Sequence, residues 1–137
     1  MTTKWAHLPN AKHIDRILES LKTNPDKWAS VWKHNVAMDA AWDTARVAAW
    51  NAARDTARVA AWNAAWSAVR VAARVAAWNA AWDAIIALIA YDDCAYMLDS
   101  DPGELAILAK FGDPKAILLL PACDILSTIK EQNVTTG

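Results

Sequence analysis

Glycine and proline are missing from the middle of this chain. Three glycines and five prolines occur in 137 residues, and none lies between Asp26 and Asp101. The residues that ordinarily stop a helix or open a hairpin are therefore absent from more than half the length. So few glycines also exclude a Gly-rich phosphate cradle, a P-loop and a nucleophile elbow. The two cysteines, Cys94 and Cys123, have neither CxxC nor zinc spacing and sit in apolar runs. They read as buried, reduced thiols of a cytosolic protein rather than a disulfide. His7, His13 and His34 are not at metal-ligand spacing, so no metal and no cofactor is expected. The longest unbroken apolar run, Ala84 to Tyr91, is far too short to span a bilayer, and Met1 to Pro9 lacks the apolar segment of a secretory signal. The expected location is cytoplasmic, with no membrane partner.

What fills the gap is alanine, tryptophan and arginine. From Trp42 to Trp82 every fourth residue is Trp or Arg, eleven positions in succession: Trp42, Arg46, Trp50, Arg54, Arg58, Trp62, Trp66, Arg70, Arg74, Trp78 and Trp82. The nonamer Ala-Arg-Val-Ala-Ala-Trp-Asn-Ala-Ala starts at Ala45, Ala57 and Ala73, and Asp43 to Ala53 recurs unchanged as Asp55 to Ala65. The offsets are multiples of four, so the duplicated unit is a tetrapeptide, about one helical turn and much shorter than a solenoid repeat.

Alanine has the highest helix propensity, so the array is helical. A four-residue step on a helix of 3.6 residues per turn advances about 40°. Two or three repeats make one tilted face, whereas nine circle the helix completely. An unbroken rod over the array would be roughly 60 Å long, against about 30–35 Å for a compact domain of this size. The array is therefore expected to break into two or more helices. Asn51 to Thr56 and Asn63 to Ser67 are the expected weak points, because Asn, Asp and Ser compete for the helical backbone. Breakage leaves apolar strips that one short chain does not cover, so the protein is expected to self-associate as a homo-oligomer.

The flanks complete an all-α, single-domain reading: basic N-terminal helices over 1–35, repeat helices over 36–83 and acidic C-terminal helices over 84–137. Ile14, Ile17, Leu18 and Leu21 define one buried face of a first helix, Ala11 to Lys22, with Asn10 as N-cap. Asn24 and Pro25 open the next helix, where Trp28 and Trp32 begin the four-residue spacing. Ala84 to Leu98 reads as one buried helix built on Ile85, Ile86, Leu88, Ile89 and Met97. Asp101, Pro102 and Glu104 read as a capping box in preference to a calcium loop, since Lys110 stands where a bidentate acid is needed. Asp113-Pro114 opens a helix through Leu120, and Pro121 kinks or restarts it into Ala122 to Glu131, with a frayed tail from Gln132.

Charge is distributed unevenly around a net of −1. Residues 1–35 carry six cationic side chains against three acids, and the array carries five arginines against Asp43 and Asp55, each segment netting +3. From Asp83 onward three lysines face nine acids, netting −6. The basic front attracts anions, and the acidic tail makes a nucleic-acid partner unexpected.

Two accounts of the array stay open. Its tryptophans and arginines either fill and rim the core, or they wall a cleft in which indoles stack a base and guanidiniums fork a phosphate. Five arginines with few neighbouring acids favour the second account for part of the set. The candidate ligand-binding residues are Arg46, Trp50, Arg54, Arg58, Trp62, Trp66, Arg70, Arg74, Trp78 and Trp82. Asp92-Asp93 reads either as an acid/base pair or, preferably, as an interhelical partner for an arginine. No catalytic residues are assigned.

The Ala-Ala-Trp-Asn/Asp array, followed by Ala-Tyr-Asp-Asp-Cys-Ala-Tyr-Met-Leu-Asp-Ser-Asp-Pro-Gly-Glu-Leu-Ala-Ile-Leu-Ala over Ala90 to Ala109, resembles small proteins of tailed phages and prophages, a group without a settled function. The resemblance spans about the last hundred residues. It implies a phage origin, action in the host cytoplasm and a role in disarming host defence, some such proteins sequestering cyclic nucleotide messengers. The reading is a non-enzymatic sponge for an anionic, nucleotide-like signal. The alternatives are a protein-binding inhibitor of a host enzyme and a single-stranded nucleic-acid binder.

Overall fold

The four-residue stride decides where this chain turns. The computed structural model describes residues 4–30 and 39–136. Among them the helices are α1 Ala11–Thr23, α2 Pro25–Ser30, α3 Asp39–Ala52, α4 Thr56–Ala72, α5 Val75–Ala90, α6 Pro102–Lys110 and α7 Pro114–Thr136, with a 3-10 turn over Ala95–Asp99. No strand occurs among the described residues, and the fold is all-α. The array is divided over α3, α4 and α5. Trp32 and His34 lie outside the described residues.

Burial along these three helices follows one register, the residue just before each Trp/Arg position. Ala45, Ala49 and Ala53 are buried at α3, Ala61, Ala65 and Val69 on α4, and Ala77, Ala81 and Ile85 on α5. Three consecutive members of a four-residue register drift by about 80°, which still fits one interhelical seam. One or two further steps would carry the seam out of contact. The chain breaks there, at Ala53–Asp55 and again at Ala73–Arg74, and at these breaks Ala57 is exposed and Ala73 only half-buried. Small side chains in the seam let the helix axes approach closely. The large residues are displaced to its rim.

One expected weak point is where the chain turns. Asp55 caps α4, its carboxylate accepting the Arg58 N–H at 2.9 Å. The other is not. Asn63 to Ser67 stays helical, with the Ser67 hydroxyl bonded back to the Asn63 carbonyl at 3.3 Å, so the serine finds its partner without leaving the helix. The second break falls at Ala73–Arg74 instead, where drift requires it. The Trp78 indole N–H donates to the freed Ala73 carbonyl at 2.7 Å.

Helix α5 is the hub, touching α1, α2, α3, α4 and α7. The run Ala84 to Ile89 is buried on every side, as a helix apolar all round must be. The expected continuation to Leu98 does not occur: α5 ends at Ala90. Two aspartates beyond a C-terminus oppose the helix dipole, and side chains take the last carbonyls instead. Asn10 donates to Leu88 O at 3.0 Å and Tyr91 O at 2.9 Å, Arg58 to Ile89 O at 2.6 Å, and the Cys94 thiol to Ala87 O at 3.4 Å. Asn10 stands at the start of α1, but its side chain makes no cap there because it closes α5.

Helix α7 runs through Pro121 as one helix, so of the expected kink or restart at that residue the restart does not occur. Pro121 has no N–H for the carbonyl of Ile117. The indole N–H of Trp42, itself 2% exposed, donates to that carbonyl at 3.1 Å. The first tryptophan of the array thus mends the gap left by a proline on another helix.

If the alanine register carries the packing, Ala61→Leu overfills the seam and costs about 1–3 kcal/mol. Ala60→Leu, one residue away on the exposed side, stays within about 0.5 kcal/mol. Urea denaturation of the two variants measures the contrast.

Candidate functional site

The described tryptophans fall into two classes. Trp5, Trp28 and Trp42 are buried, and each indole N–H is bonded, to Asp15, Ser20 and Ile117 respectively. The other five stand on the rims of α3, α4 and α5 and touch one another. Trp50 meets Trp62 edge-on at 5.0 Å between ring centroids, and Trp62 meets Trp82 at 5.4 Å. Trp82 lies tilted against Trp66 at 5.1 Å, and Trp66 meets Trp78 edge-on at 5.5 Å. Trp62 and Trp66 pair with Trp82 and Trp78 in reverse order, which is what an antiparallel α4–α5 hairpin makes of a four-residue repeat. Trp50 is 41% exposed and the other four are half-buried. Among the described residues the indole N–H groups of Trp50, Trp62, Trp66 and Trp82 have no hydrogen-bond partner.

The arginines have different surroundings. Arg46 forks Asp83 through Nε at 2.8 Å and Nη2 at 3.1 Å and also reaches Asp43 at 3.3 Å. Asp83 is 1% exposed. Burial pushes its carboxyl upward and the Arg46 fork opposes that, while donating to Asp83 raises the guanidinium. Arg58 forks Asp92 at 2.9 and 3.0 Å while capping α5, and its bond holds the Asp92 carboxyl below the usual carboxylate range. Asp92 is therefore an interhelical ion-pair partner and, as an ionised carboxylate, a poor proton donor at neutral pH. Arg74 reaches Asp26 at 2.8 Å across a pair that is largely in water. Arg54 and Arg70 are exposed, and no acid pairs with them among the described residues.

Of the ten candidate residues, the structure joins Trp50, Trp62, Trp66, Trp78 and Trp82 into one aromatic ladder. Arg54, Arg70 and Arg74 point to solvent from the same three-helix segment, and Arg46 and Arg58 are engaged in the fold. Four clefts among the described residues lie elsewhere: between α1 and α7, under Asp99–Pro102, between α3 and α7, and between Trp5 with α1 and α4. None of these four takes a repeat tryptophan or arginine into its wall. Asp83 is a structural residue that the sequence did not single out, and Asn10, read there as an N-cap, closes α5 instead. Asp83 had a signal in its position, the acid that follows the last tryptophan as Asp43 follows the first.

Outside the array, Asp99 pairs with Arg16 at 2.7 and 3.0 Å, and Asp101 caps α6 by accepting the Glu104 N–H at 3.2 Å. Cys94 and Cys123 are free and buried, their thiols pushed up to about 12 and about 11 by desolvation, so neither is a ready nucleophile. No helix among the described residues is long and apolar enough to cross a membrane. The chain matches no known protein family, no curated protein and no solved structure.

Two outcomes follow from the ion pairs. Arg46→Met strands a buried carboxylate and costs about 2–3 kcal/mol, less than a fully buried pair because Arg46 is partly open to water. Adding Asp83→Leu recovers most of that loss, as a double-mutant cycle in urea measures. The second outcome concerns pH. Arg58 and Arg16 depress the Asp92 and Asp99 carboxyls, so their contribution is present above the unfolded carboxylate value and disappears as pH falls through the folded one. The stability gap between wild type and Arg58→Gln is therefore constant near neutrality and narrows below about pH 4. High salt reduces it, since Asp92 is half exposed.

Proposed function

We propose that this protein is a non-enzymatic binder of an anionic, nucleotide-like signal, and that the tryptophan ladder with Arg54, Arg70 and Arg74 is its working face. The observation that carries the reading is the partial exposure of the five linked indoles, four of them with an unused N–H, on helices whose ends also carry the exposed Arg54, Arg70 and Arg74. Such a face offers flat surfaces to a base and charge-assisted donors to phosphate oxygens. A stacked base contributes about 1–3 kcal/mol and a guanidinium–phosphate bond about 1.5–3 kcal/mol. Two of each, less the cost of association, reach submicromolar affinity. That suffices for sequestration, the role implied by the phage resemblance, and needs no bond-making residue.

The position of the ladder favours one second reading. It lies outside the four clefts, and small-molecule sites are usually concave. A face of Trp and Arg is also the composition of protein hot spots, which suits an inhibitor of a host enzyme.

Calorimetry with cyclic dinucleotides and cyclic ADP-ribose isomers, paired with tryptophan fluorescence, tests the first reading. The expected result is quenching with intact ligand recovered, and roughly ten- to hundredfold weaker binding for Arg70→Ala or Trp66→Ala. No binding across the panel, or a ligand returned cleaved, would overturn it. If the ligands fail and a host enzyme is inhibited by wild type but not by Trp62→Ala, the second reading holds.

A further inference from the structure

The exposed arginines of the repeat segment are unevenly placed. Arg54 precedes α4 and Arg70 lies in its last turn, so the 17 residues of that helix separate them by roughly 25 Å at about 1.5 Å per residue. A mono- or dinucleotide does not bridge that distance. Arg58, near the first of these ends, is engaged by Asp92 and the Ile89 carbonyl. Arg74, by contrast, follows Arg70 by four residues across the α4–α5 turn, and both are exposed. They form the pair of guanidiniums that one compact ligand can grip together. The acid that Arg74 meets is no obstacle. Its pair with Asp26 has side chains 79% and 88% exposed, a contact of little strength that a phosphate displaces.

The aromatic floor of this end is held in place. The Trp78 indole N–H donates to the Ala73 carbonyl at 2.7 Å, which fixes the ring against the turn. Trp66 meets that ring edge-on at 5.5 Å. Arg70 stands one turn beyond Trp66, displaced by only the drift of about 40°. Val71 and Val75, 86% and 66% exposed, show that the described chain leaves the turn uncovered. A pinned ring beside two cations is a pre-organised site, since little ordering remains for the ligand to impose.

We propose that a nucleotide binds at this turn with its base on Trp66 and Trp78 and two contiguous phosphates on Arg70 and Arg74. Resting on the binding role proposed above, the site selects one ligand class, nucleotides built on a pyrophosphate. Two neighbouring guanidinium forks match two neighbouring phosphates, each through charge-assisted bonds. A cyclic dinucleotide matches less well. Its phosphates lie on opposite sides of the ring, so one turns away when the other meets the arginines.

Calorimetry of the full chain with adenosine, guanosine, their mono- and diphosphates, ADP-ribose and cyclic di-AMP is the test. Affinity is expected to rise roughly tenfold or more from mono- to diphosphate, with either base because stacking tolerates both. ADP-ribose groups with the diphosphates and cyclic di-AMP with the monophosphates, and inorganic pyrophosphate displaces a bound diphosphate. Arg70→Ala or Arg74→Ala, each at an exposed position, brings the diphosphate down to the affinity of the monophosphate. Equal affinity for mono- and diphosphates, cyclic di-AMP as tight as the diphosphate, or a diphosphate advantage that survives both substitutions would each overturn the pyrophosphate site while the binding role stands. If no member of the panel binds, the binding role fails and the site with it.

Discussion

A residue repeated every fourth position on a helix of 3.6 residues per turn slides about 40° around the axis at each step. That mismatch organises the molecule. A seam of buried alanines stays on one side for three steps and then turns away, so each repeat helix has a set useful length. Breaks at Arg54 and Arg74, five repeats apart, end α3 and α4 and let the next helix start a fresh seam. Antiparallel folding then follows from the turns, and it brings tryptophans that are distant in sequence edge to face.

Turning without glycine creates a second requirement. Helix ends inside the protein leave carbonyls that a left-handed glycine would normally help to close. Here distant side chains close them. Trp42 reaches the carbonyl orphaned by Pro121, Asn10 reaches two carbonyls at the end of α5, and Arg58 takes a third while forking Asp92. Each clip joins segments more than thirty residues apart, so the ends of the hub helix depend on the tertiary fold that they help hold. A buried carbonyl without its partner costs more than the bond returns, which makes these clips specify one arrangement rather than merely add to it.

The all-α class was legible because alanine content and the missing breakers both point to helix. The face of α1 was legible from Ile14, Ile17, Leu18 and Leu21, all buried, and so was the cap at Asp101. The turn near Asp55 could be read because a capping side chain sat at a drift-permitted position. The turn at Ala73–Arg74 could not, because that stretch is locally identical to helical repeats elsewhere and only accumulated rotation distinguishes it. Asn10 illustrates the same limit. Its identity suits an N-cap, and the competing use, two carbonyls far along the chain, exists only once α1 lies against α5. Among the arginines, local sequence around Arg46, Arg58 and Arg74 is nearly the same, yet Asp83, Asp92 and Asp26 give them a buried fork, a helix cap and a solvent pair.

The division of labour within the tetrapeptide bears on function. Alanines, with Val69 and Ile85, form the buried register of α3, α4 and α5, so the five ladder tryptophans stand outside that register. Their rings lie against one another at the rim, where part of each remains in water. Edge-to-face contacts add only about 0.5–1.5 kcal/mol per pair beyond burial, which a smaller aliphatic set could match with less exposed indole. The buried tryptophans show what a structural role looks like here: Trp5, Trp28 and Trp42 each bury the ring and bond the N–H. Four ladder tryptophans do neither fully. A row of large, half-open rings with unused donors, on a segment that also carries the exposed Arg54, Arg70 and Arg74, exceeds what the packing of these helices requires, and that excess is what the proposed binding role draws on.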